Sequence, residues 1–355
     1  MIVFFVVASI IAALALQRYF LNNSLKNLNY KSWPSKNMVE PGEKLEIISE
    51  LHNDKWLPVL YVEVAVIIPA GAKLVGDTEN VRENRKFLML PRQKIQIRTP
   101  ITISKRGRHW LEGATLYGGD FFGMETTLRR KKVWQEVVAI PPRVDSPNLD
   151  RLLGGFLGDI SVRRFIMPDP VLTIGVREYT GREPQKDISW VHSVRARQLL
   201  VKQYDHTLEL AVTVIMNVET EFVNNIEALE YCFSLARSVC EELEKRKIKY
   251  SFISNSVAVG AIGRGNDLRD GLGASHLNAV LECLGRGVYF WRDGFEGLLQ
   301  KALHRAEQGR YHVIITPEPV KGAELAALNR LRVVSGTDAV VITPDNAYAK
   351  EAKTS

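Results

Sequence analysis

A chain of 355 residues, 46% hydrophobic and 25% charged, is long enough for two domains plus a leader and apolar enough to build real cores. Its formal net charge of +7 is compatible with an anionic membrane surface or with nucleic acid and demands neither. Three cysteines, Cys232, Cys240 and Cys283, form no C-x-x-C pair, and their odd number argues against a disulfide framework, so a reducing compartment is the simpler reading.

Residues 2–16 carry no charge and are rich in Val, Ile, Leu, Ala and Phe. That run alone is shorter than the roughly 20 residues of a bilayer span. Continuing to Leu21, with Arg18 snorkelling and Tyr19 and Phe20 at the interface, closes the gap, so a transmembrane helix is expected over 1–21. A cleaved signal peptide is the rival, with Ala13-Leu14-Ala15 as a small-x-small site, but no positive stretch precedes the apolar run. The flanking positives Arg18, Lys26, Lys31 and Lys36 all follow it, and the positive-inside rule then places the body in the cytoplasm.

Over 36–143 the period is that of strands. Residues 44–51 partly alternate, 61–68 alternate cleanly, and 94–98 and 101–103 continue the pattern between turns at Pro41-Gly42, Pro69-Ala70-Gly71 and Gly118-Gly119-Asp120. Short strands with regular breaks and no helix predict a β-sandwich, immunoglobulin-like in general architecture. The stretch 144–205 combines a Pro- and Gly-punctuated connector, to about residue 170, with a charge-dense segment. It is read as linker or partly ordered cover followed by a signature. Over 206–348 the period changes. Residues 208–218 form a nearly continuous apolar run, as a strand buried on both faces should. Residues 224–247 read as a helix capped by Asn224 and Glu227, with Ile226, Leu229, Phe233, Ala236, Cys240 and Leu243 as its stripe. Strands at 250–253, 311–316 and 339–343 and a helix at 324–332 complete a doubly wound, parallel α/β domain. The glycine-rich stretch 260–273 is read as a surface loop, and Arg129-Arg130-Lys131-Lys132 as a solvated hairpin tip.

Two stretches and one loop carry a family resemblance. In 175–205 the residues Arg177, Glu178, Tyr179, Gly181, Asp187, Trp190, Arg195 and Lys202 stand directly before the first apolar strand of the α/β domain. In 105–124 the residues Lys105, Arg106, Gly107, Asp120, Phe122 and Gly123 form a basic-Arg-Gly opening followed by an Asp–aromatic–Gly close. Together they resemble the bacterial domain-of-unknown-function-58 family, as a divergent member. The resemblance implies a membrane-anchored protein with a von Willebrand factor A-like domain, no established catalytic chemistry and no cofactor. It also implies pairing with a MoxR-type AAA+ ATPase in assembling or maturing other proteins. In such domains the first strand ends in an Asp-x-Ser-x-Ser metal loop, which here reads Asn217-Val218-Glu219-Thr220-Glu221. A neutral amide and two long carboxylates make this a degenerate site, for which no metal is expected.

Trp190 is expected to be the buried anchor of the signature, whose mixed charges read either as an ion-pair clamp or as a partner surface. Two alternatives remain. One is a metal-dependent enzyme using Asn217, Glu219 and Glu221. The other is a nucleic-acid binder using Arg82, Arg85, Lys86, Arg92 and Arg108, which mixed charge on that face would oppose. No GxxxxGK[ST], HExxH or GxSxG motif is present, and partners other than protein and membrane lipid are not expected.

Overall fold

A computed structural model describes residues 2–76, 82–120, 125–166, 173–181, 183–204, 211–221, 225–260 and 266–348. The chain forms two units. The first is Met1–Pro142 with Ala258–Ala261 and Leu281–Val288, and the second is Arg143–Val257, Ile262–Val280 and Tyr289–Ser355.

The first unit opens with helix α1 (Ile2–Ser24), which is long and apolar enough to cross a membrane and is exposed over its apolar part. Eleven described strands follow. They are β1 (Leu28–Pro34), β2 (Met38–Val39), β3 (Lys44–Asn53), β4 (Val59–Ile67), β5 (Ala72–Leu74) and β6 (Arg82–Met89), then β7 (Lys94–Ile103), β8 (Gly107–Leu111), β9 (Ala114–Gly119), β10 (Thr126–Lys131) and β11 (Gln135–Ala139). Two antiparallel four-stranded sheets, β1-β3-β7-β5 and β10-β9-β4-β6, enclose one apolar core. Strand β3 shows the cause: Leu45, Ile47, Ser49 and Leu51 point inward while Glu46, Ile48 and Glu50 between them lie on the other face. The sandwich begins earlier than residue 36, because β1 already pairs with β3 from Leu28↔Asn53. Its period is masked by Ser32, an inward-facing polar residue satisfied by Ser49 Oγ at 3.2 Å. The basic run 129–131 lies along β10, paired with β9 residue by residue, and is not a hairpin tip.

The end of α1 is part of this unit. Leu21, Ser24 and Leu25 are buried, and Gly118 permits their approach: a Cβ there would lie 2.4 Å from Ser24 Oγ. Lys55 Nζ donates to the carbonyls of Asn23, Ser24 and Lys26 at 2.6, 2.7 and 2.9 Å. A cation thus satisfies the orphan carbonyls at the negative end of the helix. Burial pulls the Lys55 ammonium down to about 8. Elsewhere in the unit Glu136 receives both Arg108 and Arg286. Burial alone would raise that carboxyl, but the two guanidiniums outweigh it and hold it below its ordinary value.

After Pro142 the order is α2 (Pro147–Ile166), β12 (Thr173–Glu178), a 3-10 turn (Gln185–Asp187), α3 (Trp190–Ala196), β13 (Leu200–Tyr204), β14 (Ala211–Met216), α4 (Ile226–Lys245), β15 (Lys249–Ser254) and β16 (Ser256–Ala258). The rest is β17 (Asp267–Gly271), α5 (Ala274–Arg286), β18 (Gly287–Trp291), α6 (Phe295–His304), β19 (Tyr311–Ile315), α7 (Gly322–Ser335), β20 (Ala339–Ile342) and α8 (Pro344–Tyr348). The central sheet runs β17-β15-β14-β19-β20, with only β17 antiparallel. Ile215, Ile253 and Ile314 stand in register on one face and pack with Phe295, Leu298 and Leu299 of α6 and Leu328 and Leu331 of α7. The alternating residues Val214, Phe252 and Val313 face the side taken by α4. This is a doubly wound α/β arrangement, as expected, with α5, α6 and the edge strand β17 in addition.

Three expectations are corrected. The connector after residue 144 contains a 20-residue helix, α2, in which Leu149, Leu153 and Phe156 are buried at helical spacing. Residues 267–271 form the edge strand β17, not loop; only Leu268 is buried there, so no apolar period marks it. The cap at Asn224 lies outside the described residues, and the helix is preceded by Asn225, whose side chain makes no cap bond; Ile226 is exposed while the rest of the stripe is buried.

His312 of β19 is buried with neither ring nitrogen bonded. Burial, helped by Arg310, lowers its pKa to about 4. The unfolded chain, protonating near 6.5, binds the proton first. Stability is therefore full above that value and falls as pH drops from about 6.5 to about 4, by about 3 kcal/mol in all. Denaturation midpoints at pH 7 and pH 5 should show this decline, and His312→Leu should flatten it; an unchanged slope in the variant refutes the assignment.

Candidate functional site

The C-terminal ends of the parallel strands gather a polar network. Asn217, directly after β14, is buried, and all the hydrogen-bonding groups of its side-chain amide are engaged. Its Oδ1 accepts the Glu219 N–H at 2.9 Å and Asn255 Nδ2 at 2.7 Å. Its Nδ2 donates to the Glu219 carbonyl and to Thr316 Oγ1, each at 3.2 Å. Asn255, after β15, in turn accepts the Val218 N–H at 2.8 Å, and Thr316, after β19, donates to the Glu318 carbonyl at 3.1 Å. Three neighbouring strand ends are thereby tied by amides and one hydroxyl.

The two glutamates of the loop diverge. Glu219 Oε2 accepts the N–H of Phe295, the first residue of α6, where a carboxylate complements the helix dipole. At Glu221 the backbone N–H donates to Glu318 Oε1 at 3.0 Å, and the Thr220 hydroxyl donates to the same oxygen. Burial raises Glu324 above its ordinary value, and the carboxylates of Glu219, Glu221 and Glu318 add to this against a bond from the Lys321 N–H. The structure therefore brings Asn217 and Glu219 together through the backbone, but turns the carboxylate of Glu219 to α6. Among the described residues no group of three or more His, Cys, Asp or Glu side chains is placed to hold a metal. Asn255, Thr316, Glu318 and Glu324 escape the sequence reading. Their only signal is a polar residue following a buried strand, or opening a helix.

The signature segment forms a small module of its own within the second unit. Strands β12 and β13 pair antiparallel, with Val176↔Lys202, Arg177↔Val201 and Glu178↔Leu200. Arg177 Nη1 meets Glu183 at 2.7 Å, and Glu183 also accepts the Thr180 N–H and hydroxyl at 3.0 and 2.8 Å. Tyr179 N–H donates to the Leu199 carbonyl, Gly181 turns the chain at φ +85°, and Asp187 ends the 3-10 turn. Arg177, Glu178, Arg195 and Lys202 are exposed. Arg182 and Asp205 lie outside the described residues, as do Phe122 and Gly123 of the earlier motif.

Trp190 is not the buried anchor that its sequence context implies. It opens α3 and is 63% exposed, beside Val191 and Val194, which are also exposed. The inward positions belong to Ile188, Ser189, Ser193, Leu200 and Val201. Ser193 Oγ donates to the Ser189 carbonyl at 2.8 Å and accepts the Leu200 N–H at 2.9 Å, so two serines one turn apart seat the helix and leave Trp190 out of phase.

The basic residues of the sandwich are interleaved with acids. Arg85 pairs with Glu83 at 2.6 Å, Arg92 with Asp54, and Arg108 with Glu136.

No family model and no curated protein matches the chain. Solved structures that it resembles include the CARDB domain of a Pyrococcus furiosus protein in complex with di-metal ions, 11% identical over 32% of this chain and 94% of that one, at a TM-score of 0.21. A Pseudomonas fluorescens alkylpurine DNA glycosylase bound to DNA is 11% identical over 32% and 30%, at 0.20. The sporulation control protein Spo0M of Bacillus subtilis is 11% identical over 43% and 58%, at 0.17. At these scores the likenesses carry no argument about function.

Asn217→Asp tests the amide network. A carboxylate cannot donate to the Glu219 carbonyl, so the variant should lose about 1–3 kcal/mol in chemical denaturation. Mg²⁺ should raise the midpoint of neither protein; a rise in the parent chain that Glu219→Ala abolishes contradicts the reading.

Proposed function

We propose that the chain is a membrane-anchored protein-interaction module in which α1 spans the bilayer and α3 presents a partner surface. The observation that carries this is the outward apolar face of α3. A seven-residue helix exposes Trp190, Val191 and Val194 while its seat is made of serines. An exposed tryptophan on a helix that also carries the exposed Arg195 has the composition of a binding hot spot. The resemblance to the domain-of-unknown-function-58 family supplies the class of partner, a MoxR-type AAA+ ATPase, with assembly or maturation of other proteins as the role. We read the second unit as a divergent von Willebrand factor A-like domain. Support comes from its central first strand, β14, and from the loop that follows at the sheet's C-terminal edge. That edge works without metal in this reading, because the Asn217 amide and the Glu219 carboxylate are already engaged.

The rival readings lose support from the same geometry. A metal-dependent enzyme needs Asn217, Glu219 and Glu221 to converge, and Glu219 instead caps α6. A nucleic-acid face needs a contiguous positive patch that tracks several phosphates, and the acids interleaved with Arg85, Arg92 and Arg108 break it up.

Two experiments test the proposal. Trp190→Ala should shift stability by no more than about 0.5 kcal/mol, since the side chain is exposed. It should nevertheless deplete an AAA+ ATPase, identified by mass spectrometry, from material co-purifying with the detergent-solubilised chain; full retention sinks the α3 surface. For topology, the positives that follow α1 support the reading that the body lies inside the cell. A reporter thiol at Lys36 should stay unlabelled by an impermeant reagent on intact cells, and labelling there reverses the orientation.

A further inference from the structure

The last turns of α1 lie against the sandwich. Gln17 Nε2 donates to Asp120 Oδ2 at 2.6 Å, Arg18 meets Glu125 at 3.2 Å, and Leu21 is buried. A span that reaches both faces of the membrane therefore draws this end of the sandwich into the headgroup layer.

That end is built for such a place. The loops 54–58 and 90–93 lie beside the last turn of α1, which Lys55 caps. They are held to each other by Asn53 Nδ2, which donates to the carbonyls of Leu57 and Leu90 at 3.0 and 2.9 Å, and by the Arg92 N–H, which donates to the Lys55 carbonyl at 3.2 Å. Out of this rigid base project Trp56, 81% exposed, and Leu88 and Leu90, both exposed. The Arg92 guanidinium sits 5.4 Å from the Trp56 ring centroid and pairs with Asp54. An exposed indole, two leucines and a guanidinium on one rim match the chemistry of the bilayer interface, where tryptophan is amphipathic and arginine meets phosphate.

We infer that this rim is a second bilayer contact: Trp56, Leu88 and Leu90 enter the interfacial layer of the membrane that α1 crosses, and Arg92 engages anionic headgroups. The inference rests on the proposed anchoring by α1, and the occupant is lipid rather than a protein.

The full chain, reconstituted into phosphatidylcholine–phosphatidylglycerol vesicles, is first floated on a density gradient. It is then compared in vesicles whose acyl chains carry bromine, which quenches indoles at the interface. Trp56→Phe should lose most of the bromolipid-sensitive emission. Trp134→Phe should retain it, because Trp134 is equally exposed but follows Lys131, at the end of β10 remote from Asp120 and α1. Arg92 has φ +58°, a backbone that glycine adopts without cost, so Arg92→Gly should keep the fold and weaken Trp56 quenching only where phosphatidylglycerol is present. Failure to float overturns the anchor itself. Flotation with quenching that Trp56→Phe leaves intact, or that Trp134→Phe removes equally, overturns the rim contact alone and points to a protein as its occupant. Weakening by Arg92→Gly that is independent of lipid charge overturns the headgroup pairing.

Discussion

A helix that leaves an apolar segment and enters a folded domain must satisfy its last carbonyls, and here one lysine does so for three of them. Lys55 Nζ reaches the carbonyls of Asn23, Ser24 and Lys26, and its own charge is lowered in pKa by the burial that this requires. The ammonium compensates orphan acceptors that no i+4 amide can reach, at the end of the dipole where a cation is favoured. Because Lys55 belongs to a loop between two sandwich strands, the cap fixes the direction in which α1 leaves the domain. With Gly118 open to Ser24 and Leu25, the last turn of the helix is packed into the β-sandwich.

The second unit solves a related problem at its sheet edge with neutral groups. Three strand ends converge, and each would present charge if it carried carboxylates. Asparagine at 217 and 255 and threonine at 316 both donate and accept, so the cluster closes on itself. A carboxylate at 217 would accept from Asn255 and the Glu219 N–H but could not donate onward. A neutral amide at this strand end thus has a local physical logic: it supplies the donors that a carboxylate lacks. The acids lie beyond this cluster, where Glu219 finds the N-terminus of α6 and Glu324 has its pKa raised by burial and, after that, by the like charges around it.

What is legible in the sequence is what periodicity can carry. Strands β3, β4, β14, β15 and β19, helix α4 and the apolar span of α1 announce themselves through apolar residues at a period of 2 or 3.6, or in unbroken runs. The hidden elements have their inward positions filled by small polar side chains. Ser32 conceals β1, Ser189 and Ser193 conceal the seat of α3, and β17 offers only Leu268 to the core. Helix α2 reads as linker because Pro147, Gly154, Gly155 and Gly158 outweigh a spacing of Leu149, Leu153 and Phe156. At the candidate site, Asn217 and Glu219 are found from the strand before them. Their partners Asn255 and Thr316 come from distant strands, and only the register of the folded sheet brings them near.

The same inversion explains two exposed tryptophans, Trp56 and Trp190. In α3 and at the rim by α1, hydrogen bonds from serine, asparagine and lysine hold the backbone, and the indoles are released to the outside. A buried indole would have contributed to stability without polar locks. An exposed one leaves apolar area in water and needs another surface to cover it. On the proposed reading the two indoles meet different surfaces. Trp56, beside the helix that crosses the membrane, meets lipid, and Trp190, on the helix that also carries Arg195, meets a protein. The polar locks make that division possible, because neither indole is required for the fold beneath it.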